Sequence, residues 1–172
     1  MNLFRRIFCF SSIFLLFIGL LSSINVQALE NNLNIISTTR VTVDEAKRWA
    51  KERNATDTFI GLADLYWKYY KEHGNVNPAI AYVQSALETG YGRFGGILDV
   101  TYKNPCGLKN NVGGSDTNKD AHQKFNSWDD GVKAHLDHLA LYAGAEGYPR
   151  KVTTDPRHFA YILGKAKTVQ DL

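Results

Sequence analysis

The sequence predicts an α+β fold, mainly α, in which helices flank a small β-containing lobe. Three observations carry that reading. Apolar residues recur at helical spacing behind recognisable start signals near Thr42, Asp57 and Asn77. Between Gly92 and Phe125 the periodicity fades, and Gly, Asn and Asp punctuate short segments. It then returns at Ser127.

Thr42-Val43-Asp44-Glu45 has the form of a capping box, with Thr42 as N-cap and Glu45 three residues on; Ala46, Trp49 and Ala50 follow at helical spacing. A second helix is expected from Asp57 to His73, with Phe59, Leu62, Tyr66 and Tyr69 along one side and Gly74 ending it. Asn77-Pro78 opens a third, because proline at the first helical position lacks an N–H that would be unpaired anyway. Ile80, Val83 and Leu87 are expected to face inward from it. Leu98 to Tyr102 is a short irregular segment, and His122 to Phe125 reads as a strand. Ser127-Trp128-Asp129-Asp130 caps a fourth helix bearing Val132, Leu136 and Leu139 on one face. A shorter helix is expected near Asp155-Pro156, carrying Phe159, Ile162 and Leu163, and Thr168 to Leu172 reads as another helix start.

The first residues have a different character. Arg5 and Arg6 precede an apolar run from Ile7 to Leu21, and Val26-Gln27-Ala28 is a small-residue cleavage signal. This is the layout of a secretory signal peptide, residues 1–28, and the run falls short of the roughly 20 residues a membrane-spanning helix prefers. No stable membrane anchor is expected after cleavage. Residues 29–42, rich in Asn, Ser and Thr, read as a linker, and 43–172 as the functional domain. Loss of Arg5 and Arg6 lowers the formal charge from +3 to +1, leaving no clustered positive charge for nucleic acid. Cys9 leaves with the leader, so Cys106 stands alone and no internal disulfide framework is available.

Within this plan, Gln84-Ser85-Ala86-Leu87-Glu88-Thr89-Gly90-Tyr91-Gly92-Arg93-Phe94-Gly95-Gly96 is unusual. A helix delivers one carboxylate, Glu88, and dissolves into glycines and aromatics. Glycines permit close approach of a ligand. An apolar setting disfavours the ionised carboxylate and lets it hold a proton near neutral pH, which is what protonating a glycosidic oxygen requires. Tyr91, Phe94 and Trp128 offer ring faces for sugars. The competing reading is a solvated glutamate on an amphipathic helix.

Glu88-Thr89-Gly90-Tyr91-Gly92, then Asn104-Pro105-Cys106-Gly107-Leu108-Lys109, then Phe125-Asn126-Ser127-Trp128 resemble, in order and spacing, the bacterial glucosaminidase-domain family of peptidoglycan hydrolases in the lysozyme-like superfamily. The resemblance spans roughly Thr58 to the C-terminus. It implies a lysozyme-like domain and an exported or wall-located endo-β-N-acetylglucosaminidase acting as a monomer on the peptidoglycan glycan strand. By it, Glu88 is the general acid, and Tyr91, Phe94, Asn104 and Trp128 serve the substrate. The family's second acid lies in the β-lobe; Asp99, Asp116 and Asp120 are candidates here, Asp116 being preferred for its Gly113-Gly114-Ser115 loop. The substrate's own acetamido group is another route. Family members usually continue beyond the position of Leu172 into a segment that sometimes supplies a catalytic tyrosine, so the domain reads as truncated there. Tyr102, Tyr142 and Tyr148 are conceivable substitutes.

The rival readings are a wall-binding module without catalysis, a muramidase or lytic transglycosylase, and a Cys106-dependent amidase or peptidase using His122 or His135. His135 and His138 are three apart and lack the glutamate of a zinc-protease helix. No metal or other cofactor is implied.

Overall fold

The computed structural model describes residues 33–172, and among these four α-helices make the frame: α1 (Val43–Glu52), α2 (Asp57–Tyr69), α3 (Pro78–Thr89) and α4 (Trp128–Ala143). Their starts follow the side chains that cap them. The Thr42 hydroxyl accepts from Glu45 N at 3.3 Å while the Glu45 carboxylate accepts from Thr42 N at 2.8 Å, completing the capping box. Asn77 Oδ1 accepts from Ala79 N at 3.0 Å ahead of Pro78, and Ser127 Oγ accepts from Asp130 N at 3.1 Å. For α2 the cap is Thr56, whose hydroxyl accepts from Phe59 N at 3.2 Å, and the helix ends at Tyr69, four residues before His73.

Helix α4 is the centre. Val132, Leu136 and Leu139 pack against Phe59, Leu62 and Tyr66 of α2 and against Tyr82 of α3, all essentially inaccessible. Tyr82 stacks on Phe59 with ring centroids 4.6 Å apart. Each such large apolar side chain contributes roughly 1.5–3 kcal/mol on burial, so this layer dominates the stability. No helix among the described residues is long and apolar enough to cross a membrane. The expected signal peptide and its cleavage site lie outside the described residues.

Five expectations need correction. On α3 the buried face is Ala81, Tyr82, Ser85, Ala86 and Thr89, whereas Val83 and Leu87 are exposed. Small residues let α3 approach its neighbours closely and turn its larger aliphatics outward. The expected β-containing lobe has no named strand among the described residues. Only an isolated bridge, Lys109 with His122, and 3-10 turns at Val100–Tyr102 and Lys119–Ala121 occupy that region. The reason is local: Asp99, Asn110 and Asn118 accept hydrogen bonds from the backbone N–H two residues on, at 2.9, 3.1 and 3.0 Å, offering turns in place of a ladder. The end of the expected linker is structural, since Ile35 is fully buried, its N–H donating to Lys167 O at 2.9 Å and its carbonyl accepting from Asn77 N at 2.8 Å. The helix expected near Asp155 shrinks to a 3-10 turn, Ala160–Ile162, because the buried Asp155 carboxylate binds Arg157 N at 2.8 Å and diverts the chain. The last segment is likewise a 3-10 turn, Val169–Asp171.

Candidate active site

Glu88 occupies the last turn of α3, one residue before the buried Thr89. Gly90 caps the helix in the left-handed conformation at φ 57°, where glycine carries no steric penalty. Thr89 then locks the exit: its hydroxyl donates to Ser85 O at 2.7 Å and accepts from Gly92 N at 3.0 Å. Gly92 is pressed onto the start of α2, where a Cβ would lie 2.6 Å from Phe59 Cβ. The glycines thus serve chain geometry first. Tyr91 and Phe94 also sit at positive φ, 60° and 55°, a conformation uncommon for bulky residues. Their rings go different ways. The Tyr91 ring packs 5.7 Å from Trp49 and 6.3 Å from Phe59, on the core, while Phe94 lines a surface cavity.

That cavity, about 370 Å³, is walled by Glu88, Phe94, Ile97, Leu98, Asn104 and Asp116 together with glycines. Solvent reaches the Glu88 side chain, yet partial desolvation raises its carboxyl pKa above the ordinary glutamate value. No hydrogen bond or ion pair from the described residues claims this carboxyl. Gly107 faces it, a Cβ built there lying 3.9 Å from Glu88 Oε2. Asp116 differs in every respect. Its side chain is 89% exposed and ion-paired to Lys109 Nζ at 2.6 Å, and the hydrogen bond from Lys109 lowers its pKa. One cavity therefore carries two carboxyl groups whose environments push their protonation in opposite directions.

A family model described as glucosaminidase, mannosyl-glycoprotein endo-beta-N-acetylglucosaminidase, matches residues 63–171, well over half the chain. The chain belongs to the glucosaminidase family. An uncharacterized protein of Borreliella burgdorferi is 34% identical over 97 residues, which is 56% of this chain and 45% of that protein. The matched stretch thus spans less than half of that relative. No solved structure matches.

The remaining sequence candidates divide between wall and scaffold of this glucosaminidase domain. Asn104 borders the cavity but is fully buried, and its amide is committed to the chain: Nδ2 donates to Leu108 O at 2.8 Å and Gln123 O at 2.9 Å, and Oδ1 accepts from Leu108 N at 3.0 Å. Trp128 is not among the cavity-lining residues; it backs Phe94, ring centroids 6.5 Å apart, from the first turn of α4. Asp99 is bound to Thr101 and to Lys119 Nζ at 2.9 Å, with its pKa lowered to about 2 by the Thr101 and Lys119 hydrogen bonds. Neither it nor the exposed Asp120 lines the cavity, and the same holds for Tyr102, Tyr142 and Tyr148.

The thiol and metal readings meet physical obstacles in these side chains. Burial pushes the Cys106 thiol well above its ordinary pKa, the reverse of what a thiolate nucleophile needs. His135 is buried with both ring nitrogens engaged, Nδ1 with Tyr66 OH at 2.7 Å and Nε2 with Gln84 Oε1 at 3.1 Å. Desolvation lowers its pKa to about 3, so it is neutral. The arrangement fits Tyr66 donating to Nδ1 and Nε2–H donating to Gln84. Gln84 lies one turn before Glu88, so this relay ties α3 to α2 and α4 close to that carboxyl. Sequence reasoning missed this pairing; the available signal was a histidine on the apolar stripe of α4.

Proposed function

We propose that this protein is an exported glycoside hydrolase that cleaves β-1,4 bonds next to N-acetylglucosamine in peptidoglycan, with Glu88 as general acid. One observation carries the proposal: a carboxyl free of internal partners, its pKa raised by desolvation, on the wall of a cavity in a glucosaminidase-family domain. A protonated Glu88 donates to the glycosidic oxygen as the bond from that oxygen to the anomeric carbon breaks, and positive charge develops on the sugar. Water later adds to the anomeric carbon and returns its proton to the Glu88 carboxylate. Asp116, ionised beside Lys109 on the same cavity, is the preferred protein group to stabilise that charge. Its exposed loop also favours the substrate-assisted route, in which the acetamido oxygen attacks the anomeric carbon. Phe94 supplies an apolar wall, with Trp128 behind it; Asn104 borders the site from its buried position, and Tyr91, packed on Trp49 and Phe59, anchors the exit of α3.

Glu88→Gln keeps the size and the hydrogen-bonding capacity of the side chain but removes the proton. Clearing of peptidoglycan suspensions is expected to fall by about 10³-fold or more, within the range supplied by general acid catalysis. Binding, read by co-sedimentation with the wall, is expected to persist. A variant that still clears the wall would sink the assignment. Wild-type protein that only sediments with the wall would make this a binding module. Mass spectrometry of the released reducing ends is expected to show N-acetylglucosamine; N-acetylmuramic acid or an anhydro sugar would indicate a muramidase or a lytic transglycosylase.

A further inference from the structure

Glu88 reaches its cavity from α3, but the wall opposite is built on α4. Gly107 faces the Glu88 carboxyl from the turn at residues 104–109, and that turn is fastened to α4 on both sides. After it, Leu108 packs with Phe125 and with Ala134 of α4. Before it, the backbone at Lys103 presses on Gly131 of α4, where a Cβ would collide with Lys103 O. The gap across the cavity therefore depends on how α3 is set against α4. The Glu88 carboxyl has no hydrogen bond among the described residues that could correct an error in that setting.

Much of the packing on α3 is apolar, and apolar contact is not directional. Its directional ties are few. Tyr82 OH donates to Phe59 O at 3.1 Å and joins α3 to α2. Between α3 and α4 the described residues make a single side-chain hydrogen bond, His135 Nε2 with Gln84 Oε1 at 3.1 Å. Ser85, the buried neighbour of Gln84, adds no second link, since its hydroxyl is without a partner. The histidine is itself held from α2. Tyr66 OH lies 2.7 Å from Nδ1, and the two rings meet nearly edge-on, at 84° with centroids 5.7 Å apart. A neutral imidazole has one N–H; with Tyr66 donating to Nδ1, that N–H falls on Nε2 and faces Gln84. Gln84 and Glu88 stand four residues apart, as neighbours on the surface of α3.

We propose that Tyr66, His135 and Gln84 are positioning residues for Glu88: their relay sets α3 against α4 so that the carboxyl stands at its working distance from the Gly107 wall. This role rests on the reading of Glu88 as the general acid. It gives a histidine that does not line the Glu88 cavity control over how well that acid works. Without the relay, α3 shifts, water enters beside the carboxyl, and the acid moves off the glycosidic oxygen. A misplacement of about 1 Å can cost on the order of a hundredfold in rate.

Two variants break the relay from opposite ends. Gln84→Met keeps the length of the side chain and removes the acceptor. Y66F/H135F removes both buried partners together, so neither is stranded. The first readout is the titration of the Glu88 carboxyl by 13C NMR, assigned through its loss in Glu88→Gln, and it requires no turnover. Both variants are expected to lower the Glu88 pKa by about half a unit as water enters, with the urea unfolding midpoint of Gln84→Met held. The second readout is turnover of wall glycan. For Gln84→Met, kcat is expected to fall about tenfold while KM stays within about twofold, since the substrate-binding groups are intact. In Gln84→Glu a carboxylate accepts from His135 instead, and kcat at that variant's own pH optimum is expected within about threefold of wild type. An unchanged Glu88 titration in Gln84→Met, or a Gln84→Glu as slow as Gln84→Met, overturns the proposal. A titration shift that Y66F/H135F does not share assigns the effect to residue 84 alone and overturns the relay. If Y66F/H135F does not fold, Tyr66→Phe is read in its place by the same criterion. Clearing of the wall by Glu88→Gln would overturn the acid assignment instead, and the titration would still decide whether the relay holds the carboxyl.

Discussion

The helical frame and the loop region between Ile97 and Asn126 solve the same problem in opposite ways. In the frame, large apolar side chains from three helices bury one another, and most polar groups inside are closed into networks, the Ser85 hydroxyl being buried without a partner among the described residues. Asp137 of α4 is the clearest case, accepting from His73 at 2.7 Å, Arg150 at 3.0 Å, and Tyr148 and Thr153 at 2.5 Å each. In the loop region, Leu108 and Phe125 with Ala134 make only a small apolar cluster, and order comes from Asn and Asp side chains bonded to nearby backbone. The difference teaches where each carboxyl of the site belongs. Glu88 hangs from the helical frame, a placement that suits the general-acid role proposed for it. Asp116 rides on the loops, where its position is set by a single lysine.

The comparison can be broken most forcefully at Asp137. Asp137→Ala strands buried donors on two chain segments and is expected to cost about 3–5 kcal/mol of unfolding free energy, as for a broken buried charge network. Chemical denaturation checks it; a loss below one kcal/mol would mean that the network is ornamental to the frame. Asn104→Ala is the loop counterpart. It leaves Leu108 N and Gln123 O without their Asn104 partner, with Leu108 O keeping only its bond from Gln123 N, and is expected to cost about 2–3 kcal/mol, with proteolysis in the 97–126 region rising before global unfolding. Unchanged protease sensitivity would show that the loops have other support.

Acid sharpens the same contrast. Burial alone would raise the Asp137 pKa, but hydrogen bonds from His73, Thr153 and Tyr148 and the His73 charge bring it to about 2, from 3.8. A carboxylate depressed in the folded state contributes its full stability above its unfolded pKa and loses it as pH falls through the folded value. Between about pH 4 and pH 2 the frame is therefore expected to lose about 2 kcal/mol through this one group. Unfolding curves of the wild type and Asp137→Asn across that window should converge as pH falls; curves that stay parallel would remove Asp137 as the cause.

What was legible in the sequence follows the same division. Thr42, Asn77-Pro78 and Ser127 announce helix starts through chemistry confined to four residues, and a single chain displays it fully. Glu88 was found because its helix breaks abruptly at Gly90. The orientation of α3 was not legible, because Ile80, Val83 and Leu87 form a convincing stripe while the small residues that allow close packing carry no hydropathy signal. Strand-like composition at His122 to Phe125 misled for a related reason: a ladder needs a run of paired residues, and the Asn110 and Asn118 turns keep the pairing to the single Lys109–His122 bridge. Tyr91 and Phe94 look equivalent in the sequence, and both take positive φ, yet one ring packs on the core and the other lines the cavity, a difference set by tertiary contacts that the sequence does not display. The Gln84–His135 pairing joins residues 51 apart in the chain, beyond any local pattern.

The smallest structural disturbance gives the sharpest mechanistic division. Asp116 is almost wholly exposed and touches Lys109 alone among charged side chains, so Asp116→Asn is expected to leave the unfolding midpoint where it was. Its effect on turnover separates the two routes. If Asp116 stabilises the developing positive charge, the variant is expected to lose on the order of a hundredfold in kcat, because an amide cannot offset that charge. If the acetamido oxygen attacks instead, the variant turns over within a few-fold of wild type, while glycan stripped of its N-acetyl groups is not cleaved by either protein. Wild-type cleavage of stripped glycan together with a silent Asp116→Asn would eliminate both routes. A carboxylate paired with one lysine on a loop can place a charge near an acid carried by the frame, and this pair of measurements decides whether the reaction uses that charge.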